Sequence, residues 1–169
     1  MKDLFGKTLH PTRPMRPPYP SVLPLVPDGY SVITPMFRAR YPHLLLPFSF
    51  DPHQRGASRG KYSVQGHFDP RDFTQEENDR WIKMKHALEA ARPPGGNMPL
   101  IELQNDTVQV NFSCFKQPRA VGGKTAPESD NMLLGKWMRA FCAIDTYGAY
   151  RGKSNGVLLG LRAYEIIAE

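Results

Sequence analysis

Apolar and polar residues alternate over several stretches of this chain, and that period of two predicts strands. At 31–41, Phe37, Ala39 and Tyr41 alternate with Arg38 and Arg40, so one face is greasy and the other cationic. Pro35 confines the early part of that strand to an edge or a bulge. At 61–68, Tyr62, Val64 and Phe68 point one way, and Lys61, Ser63, Gln65 and His67 the other. At 107–115, Val108, Val110, Phe112 and Cys114 turn inward, with Gln109, Asn111 and Ser113 outward. The C-terminal pair is the clearest. From 137 to 147, Met138, Ala140, Cys142 and Ile144 form one face, and Trp137, Arg139, Phe141, Ala143, Asp145 and Tyr147 form the other. Asn155 and Gly156 signal a turn, and 157–167 returns as the last strand.

A helical period appears at 75–91, where Trp81, Met84, Leu88 and Ala91 fall on one face. Thr74 with Glu77 three residues later is a capping-box pair, and Pro93-Pro-Gly-Gly96 closes the helix. Glu76, Glu77 and Asp79 sit where the helix dipole favours acids, which calls for no catalytic role.

Five strands and one helix in this order are not the alternation of a parallel α/β sheet. A mainly β, OB-fold-like five-stranded antiparallel barrel with one helix leaves the fewest open edges. The helix falls between the second and third strands, whereas in such a barrel it typically follows the third. A short strand at 99–103 is the candidate for an uncounted element. Residues 1–30 hold Pro11, Pro14, Pro17, Pro18, Pro20, Pro24 and Pro27 among Lys2, Lys7, Arg13 and Arg16, which forbids a helix or central strand. They form a proline-rich basic extended arm, leaving 31–169 as the barrel domain. Packing on a neighbouring subunit, contact with nucleic acid and disorder all stay open for the arm.

Charge narrows the function. A net charge of +6 and a pI near 9.4 favour a polyanionic partner, nucleic acid first and an anionic membrane surface second. No apolar run approaches the roughly 18 residues of a membrane span, and the first residues lack a secretory apolar region, so a cytoplasmic protein without membrane association is expected. Cys114 and Cys142 lie among apolar neighbours and read as packed, reduced thiols. His10, His43, His53, His67 and His86 have no ligand spacing, so neither metal nor cofactor is expected. Gly122-Gly-Lys-Thr125 looks like the end of a phosphate loop, but Pro118 stands where the first glycine would be. Asp69, Asp72, Asp130 and Asp145 have no spacing that demands Mg²⁺, and no nucleophile elbow is present, which points away from an enzyme.

Binding a single strand requires cations along the phosphates and flat rings under the bases, each stack worth roughly 1–3 kcal/mol. Arg139, Phe141 and Tyr147 share one strand face; Tyr150, Arg151 and Lys153 follow in the loop; Arg162 and Tyr164 share a face of the last strand. Arg38, Arg40, Arg55, Arg59 and Lys61 extend the basic surface. Arginine alternating with an aromatic on one face argues for exposure, because a buried face does not readily take an unpaired arginine.

The stretch Gly135-Lys-Trp-Met-Arg-Ala-Phe-Cys-Ala-Ile-Asp-Thr-Tyr147, a basic turn, and then Asn155-Gly-Val-Leu-Leu-Gly-Leu-Arg-Ala-Tyr-Glu-Ile-Ile-Ala168 resemble the C-terminal hairpin of bacteriophage-encoded single-stranded-DNA-binding proteins with an OB-fold. Phe37-Arg-Ala-Arg-Tyr-Pro-His-Leu44, Lys61-Tyr-Ser-Val64 and the helix after Asp69-Pro70 agree in order, so the resemblance spans about 32–168. It implies protection of single-stranded DNA in phage replication or recombination, without catalysis, in the host cytoplasm. It also implies that Lys61, Tyr62, Arg139, Phe141 and Tyr147 face DNA. Residues 1–30 lie outside the family pattern, and the sequence stops at Glu169 without an acidic tail, so recruitment through such a tail is not expected. Single-stranded RNA offers the same chemistry, and a barrel edge with an extended arm favours homo-oligomers. The competing class is a structural or assembly protein, virion or ribosome-associated, that works through its arm.

Overall fold

The computed structural model of the protein describes residues 16–26, 29–48, 60–149 and 154–169. In chain order the strands are β1 (Val32–Ile33), β2 (Phe37–Phe48), β3 (Lys61–Phe68), β4 (Leu100–Glu102), β5 (Val108–Cys114), β6 (Arg119–Val121), β7 (Trp137–Tyr147) and β8 (Gly156–Ala168). One α-helix, α1 (Gln75–Ala91), lies between β3 and β4, and 3-10 turns occupy Pro70–Asp72 and Asp130–Leu133.

Five strands close a barrel. β2, β3 and β5 form an antiparallel meander, β5 meets β8 in parallel through Phe112 and Ser113, β8 pairs antiparallel with β7, and β7 returns to β2 through Trp137 and Met138. Closure buries the edges that an open sheet would expose. The inward positions are those the alternation predicts: Phe37 and Ala39, Val64 and Phe68, Val110 and Phe112, Met138, Ala140 and Cys142 are all buried. Phe37 stacks on Phe112 at 5.1 Å and tilts against Phe68 at 5.2 Å. Gly66 faces this ring cluster, and a Cβ there would lie 2.9 Å from Phe37 and Phe68 and 3.0 Å from Phe112.

The helix begins as its capping box predicts, with Thr74 Oγ1 accepting from the Glu77 amide and Glu77 accepting from the Thr74 amide, each at 3.2 Å. Trp81, Met84 and Leu88 are buried, and Trp81 packs on Phe68 at 5.0 Å. The short strand expected at 99–103 exists as β4, which pairs with β5. It follows α1, so the helix keeps its place between the second and third barrel strands.

Two sequence expectations fail at bulges. In β2 the register slips between Arg40 and His43, so Tyr41 leaves the inward face and becomes 71% exposed. In β8 it slips at Arg162, the extra residue between Leu161, opposite Cys142, and Ala163, opposite Phe141. Arg162 therefore turns outward while Tyr164 is buried, and the two do not share a face.

The N-terminal segment, where it is described, packs on the barrel. Residues 16–26 and 29–34 strap the outside of β7. β1 pairs with Phe141 and Cys142; Tyr19 is buried and donates from its hydroxyl to the Thr34 carbonyl at 2.9 Å. Arg16 forms a two-pronged ion pair with the fully buried Glu77, which also accepts from the Met36 amide at 3.0 Å.

Candidate nucleic-acid interface

The outward face of β2, β3 and β5 is set by register, since residues opposite one another in a ladder project to the same side. Arg38 lies opposite His67, Arg40 opposite Gln65, His43 opposite Ser63 and Phe48 opposite Lys61. On the other flank of β3, Gln65 faces Asn111 and Ser63 faces Ser113. Reading across, the face runs from two arginines, over amides and hydroxyls, to two rings and a lysine. His43 and Phe48 touch with centroids 4.8 Å apart, and the Lys61 ammonium sits 5.2 Å above the Phe115 ring. Arg38 lies 5.0 Å over Trp137.

At the Lys61 end the face opens into a groove of about 1320 Å³. Lys61, Lys116, Arg119 and Arg162 supply its cations, Phe115 and Tyr147 its rings, and Asn111, Ser113 and Gln117 its hydrogen-bonding groups. Asp145 is the carboxylate of the lining, and it pairs with Arg162 at 3.5 Å. Tyr147 is 39% exposed and lies across Gly156, where a Cβ would come within 2.5 Å of its hydroxyl. The groove is therefore cationic, ringed and open to solvent.

Local protonation follows from packing. Burial, then the charge of Arg40, lowers the His67 pKa, with Asp69 acting against both, so the ring is neutral at pH 7 and its Nε2 lies 3.1 Å from Thr107 Oγ1. Burial pushes the Cys114 thiol up to about 11 and raises Cys142 further. Both cysteines are free thiols. Among the described residues no three His, Cys, Asp or Glu side chains cluster as metal ligands. Asp130 accepts from the amides of Leu44, Leu45 and Leu46 at 2.7, 3.0 and 3.1 Å, and Asp69 binds Arg71.

The residues named from sequence divide into four groups. Arg38, Arg40, Lys61 and Tyr147 come together on this surface. Tyr62 lies opposite Cys114, half-buried on the inward parity with Val64. Arg139 and Phe141 are fully buried, which leaves them no surface for a strand. Arg139 is not unpaired: its Nε donates to Glu165 at 2.5 Å, and its Nη atoms donate to the carbonyls of Pro20 at 2.6 Å and Val22 at 2.8 Å. Tyr19 and Phe141 flank the guanidinium at 5.2 and 5.6 Å, and Tyr30 meets Phe141 edge-on at 5.5 Å. The strap makes the outer face of β7 a second interior along its first half; only its second half, with Asp145 and Tyr147, reaches the groove. Arg55, Arg59, Tyr150, Arg151 and Lys153 lie outside the described residues, in the β2–β3 and β7–β8 connections whose described flanks, Lys61 and Gly148, line the groove.

His43, Phe48, Phe115, Lys116 and Arg119 are surface residues that pattern reading passed over. Phe115 had a signal: it carries the outward parity of Asn111 and Ser113, an aromatic where the alternation calls for a polar residue.

The meander β2–β3–β5, the parallel β5–β8 contact and the β7–β2 return define an OB-fold barrel. Solved structures agree on that fold. The single-stranded DNA-binding protein gp2.5 encoded by bacteriophage T7 superposes with a TM-score of 0.57 at 17% identity, covering 80% of this chain and 90% of its own. The single-stranded DNA-binding protein from bacteriophage Enc34, as a C-terminal truncation, gives 0.59 at 12% identity, covering 81% and 84%. The same protein in complex with single-stranded DNA gives 0.56 at 11% identity, covering 81% and 85%. No protein-family model and no curated sequence matches the chain.

Proposed function

We propose that the protein binds single-stranded DNA without sequence preference and protects it during phage DNA replication or recombination, acting as a binding protein rather than an enzyme in the host cytoplasm. The observation that carries this function is the continuous outward track from Arg38 and Arg40, past His43, Phe48 and Lys61, to Phe115, Lys116, Arg119 and Tyr147. Cations along such a track neutralise phosphates; exposed rings between them receive bases of any identity, because every base has a π-face. The same face of OB barrels, together with the connections flanking it, is where this fold binds oligonucleotides. The solved neighbours named above are phage single-stranded DNA-binding proteins, one with its strand bound.

Charge reversal tests the assignment. Lys61→Glu combined with Lys116→Glu, both at exposed groove positions, is expected to abolish oligo-dT binding at low salt while circular dichroism and melting temperature stay at wild type. Retained affinity in a folded double variant contradicts it. A parallel titration with single-stranded RNA decides between the two strand chemistries, and sedimentation of the free protein reads its oligomeric state.

A further inference from the structure

Tyr41 occupies a backbone conformation that the fold has no reason to give a tyrosine. Its φ of 47° lies in the left-handed region. Two residues, Tyr41 and Pro42, stand where β3 supplies only Val64 between the pairs Arg40–Gln65 and His43–Ser63. Of the two, Pro42 is buried and Tyr41 exposed, so Tyr41 is the residue the bulge extrudes. In bulges with left-handed backbone, glycine is the ordinary occupant, because a Cβ is strained there. Tyr41 also gains almost nothing by burial, being 71% exposed. The fold alone would be better served by glycine or asparagine.

What the bulge does accomplish is placement. It sets an aromatic ring in solvent directly after Arg40, on the strand that continues to His43 and Phe48. Bulges re-aim side chains next to functional sites, and strained backbone persists where the exposed group has a task. We propose that Tyr41 is a base-stacking residue in the single-strand track between Arg40 and His43, with the bulge of β2 as the device that presents it. The inference rests on the single-stranded-DNA function proposed above, and it adds a binding residue to the track between its arginine end and the groove.

A stacking role separates from a structural one in three variants and two ligands. Tyr41→Ala is expected to lower affinity for a dT oligonucleotide about ten-fold, with an unchanged salt slope because no phosphate contact is removed. Tyr41→Phe keeps the ring and is expected to bind within two-fold of wild type. Tyr41→Gly is expected to lose affinity as Tyr41→Ala does while its melting temperature rises, since glycine relieves the backbone. With an abasic oligonucleotide of equal length, wild type and Tyr41→Ala are expected to bind alike. If Tyr41→Ala binds the dT oligonucleotide as wild type does, or falls equally on the abasic strand, the stacking role is overturned while the groove function stands. If wild type itself fails to bind, the underlying function fails first.

Discussion

Arg139 and Gly66 show how a single residue's meaning depends on what surrounds it. An arginine alternating with aromatics reads as a DNA contact, yet Arg139 donates from Nε and both Nη atoms to Glu165 and two strap carbonyls. Arg139→Met is expected to cost about 3 kcal/mol in chemical denaturation, because it strands a largely buried carboxylate and two carbonyls. Gly66→Ala is expected to cost about 1–3 kcal/mol by driving a methyl into the Phe37, Phe68 and Phe112 rings. Cys114, Cys142, Tyr19 and Tyr164 are each neutral when protonated, and burial raises the pKa of each in the folded state. The folded protein therefore holds these protons more tightly than the unfolded chain does. Their stabilisation is complete below the unfolded values and drains as pH climbs, for Cys114 from 9.0 toward about 11. Melting temperatures followed from pH 8 to 11 are expected to fall steadily; a flat profile would contradict this burial.

At the scale of elements, the alternation was legible because the barrel demands it: one inward parity serves β3, β5 and β7 throughout, and the helix announced itself by its cap. Bulges at Tyr41 and Arg162 were not legible, since an extra residue leaves no trace in composition and inverts parity from there onward. The outer face of β7 was misread for a different reason. Its cover comes from residues more than a hundred positions away, and prolines that exclude regular structure also make a good strap when tyrosine and arginine anchor them. Where described, the strap is a layer held on the barrel by Arg16, Tyr19 and Arg139. In Arg139→Met, amide hydrogen exchange at 21–26 is expected to accelerate well beyond that of β3 and β5. Uniform acceleration across the chain would instead make the strap inseparable from the global unfolding unit.

For the whole molecule, net charge of +6 pointed to a polyanion, and the fold arranges part of that charge along one side of the barrel. Phosphate neutralisation by cations of the kind found at Arg38, Arg40, Lys61, Lys116 and Arg119 makes affinity fall linearly with salt on logarithmic axes. Fluorescence anisotropy with labelled oligo-dT and a duplex of equal length, from 50 mM to 500 mM salt, measures this directly. If about four to five phosphates are engaged, the account predicts tight single-strand binding at low salt, a slope near −3 and weak duplex binding. Absence of single-strand binding at 50 mM salt, or preference for the duplex, would contradict it.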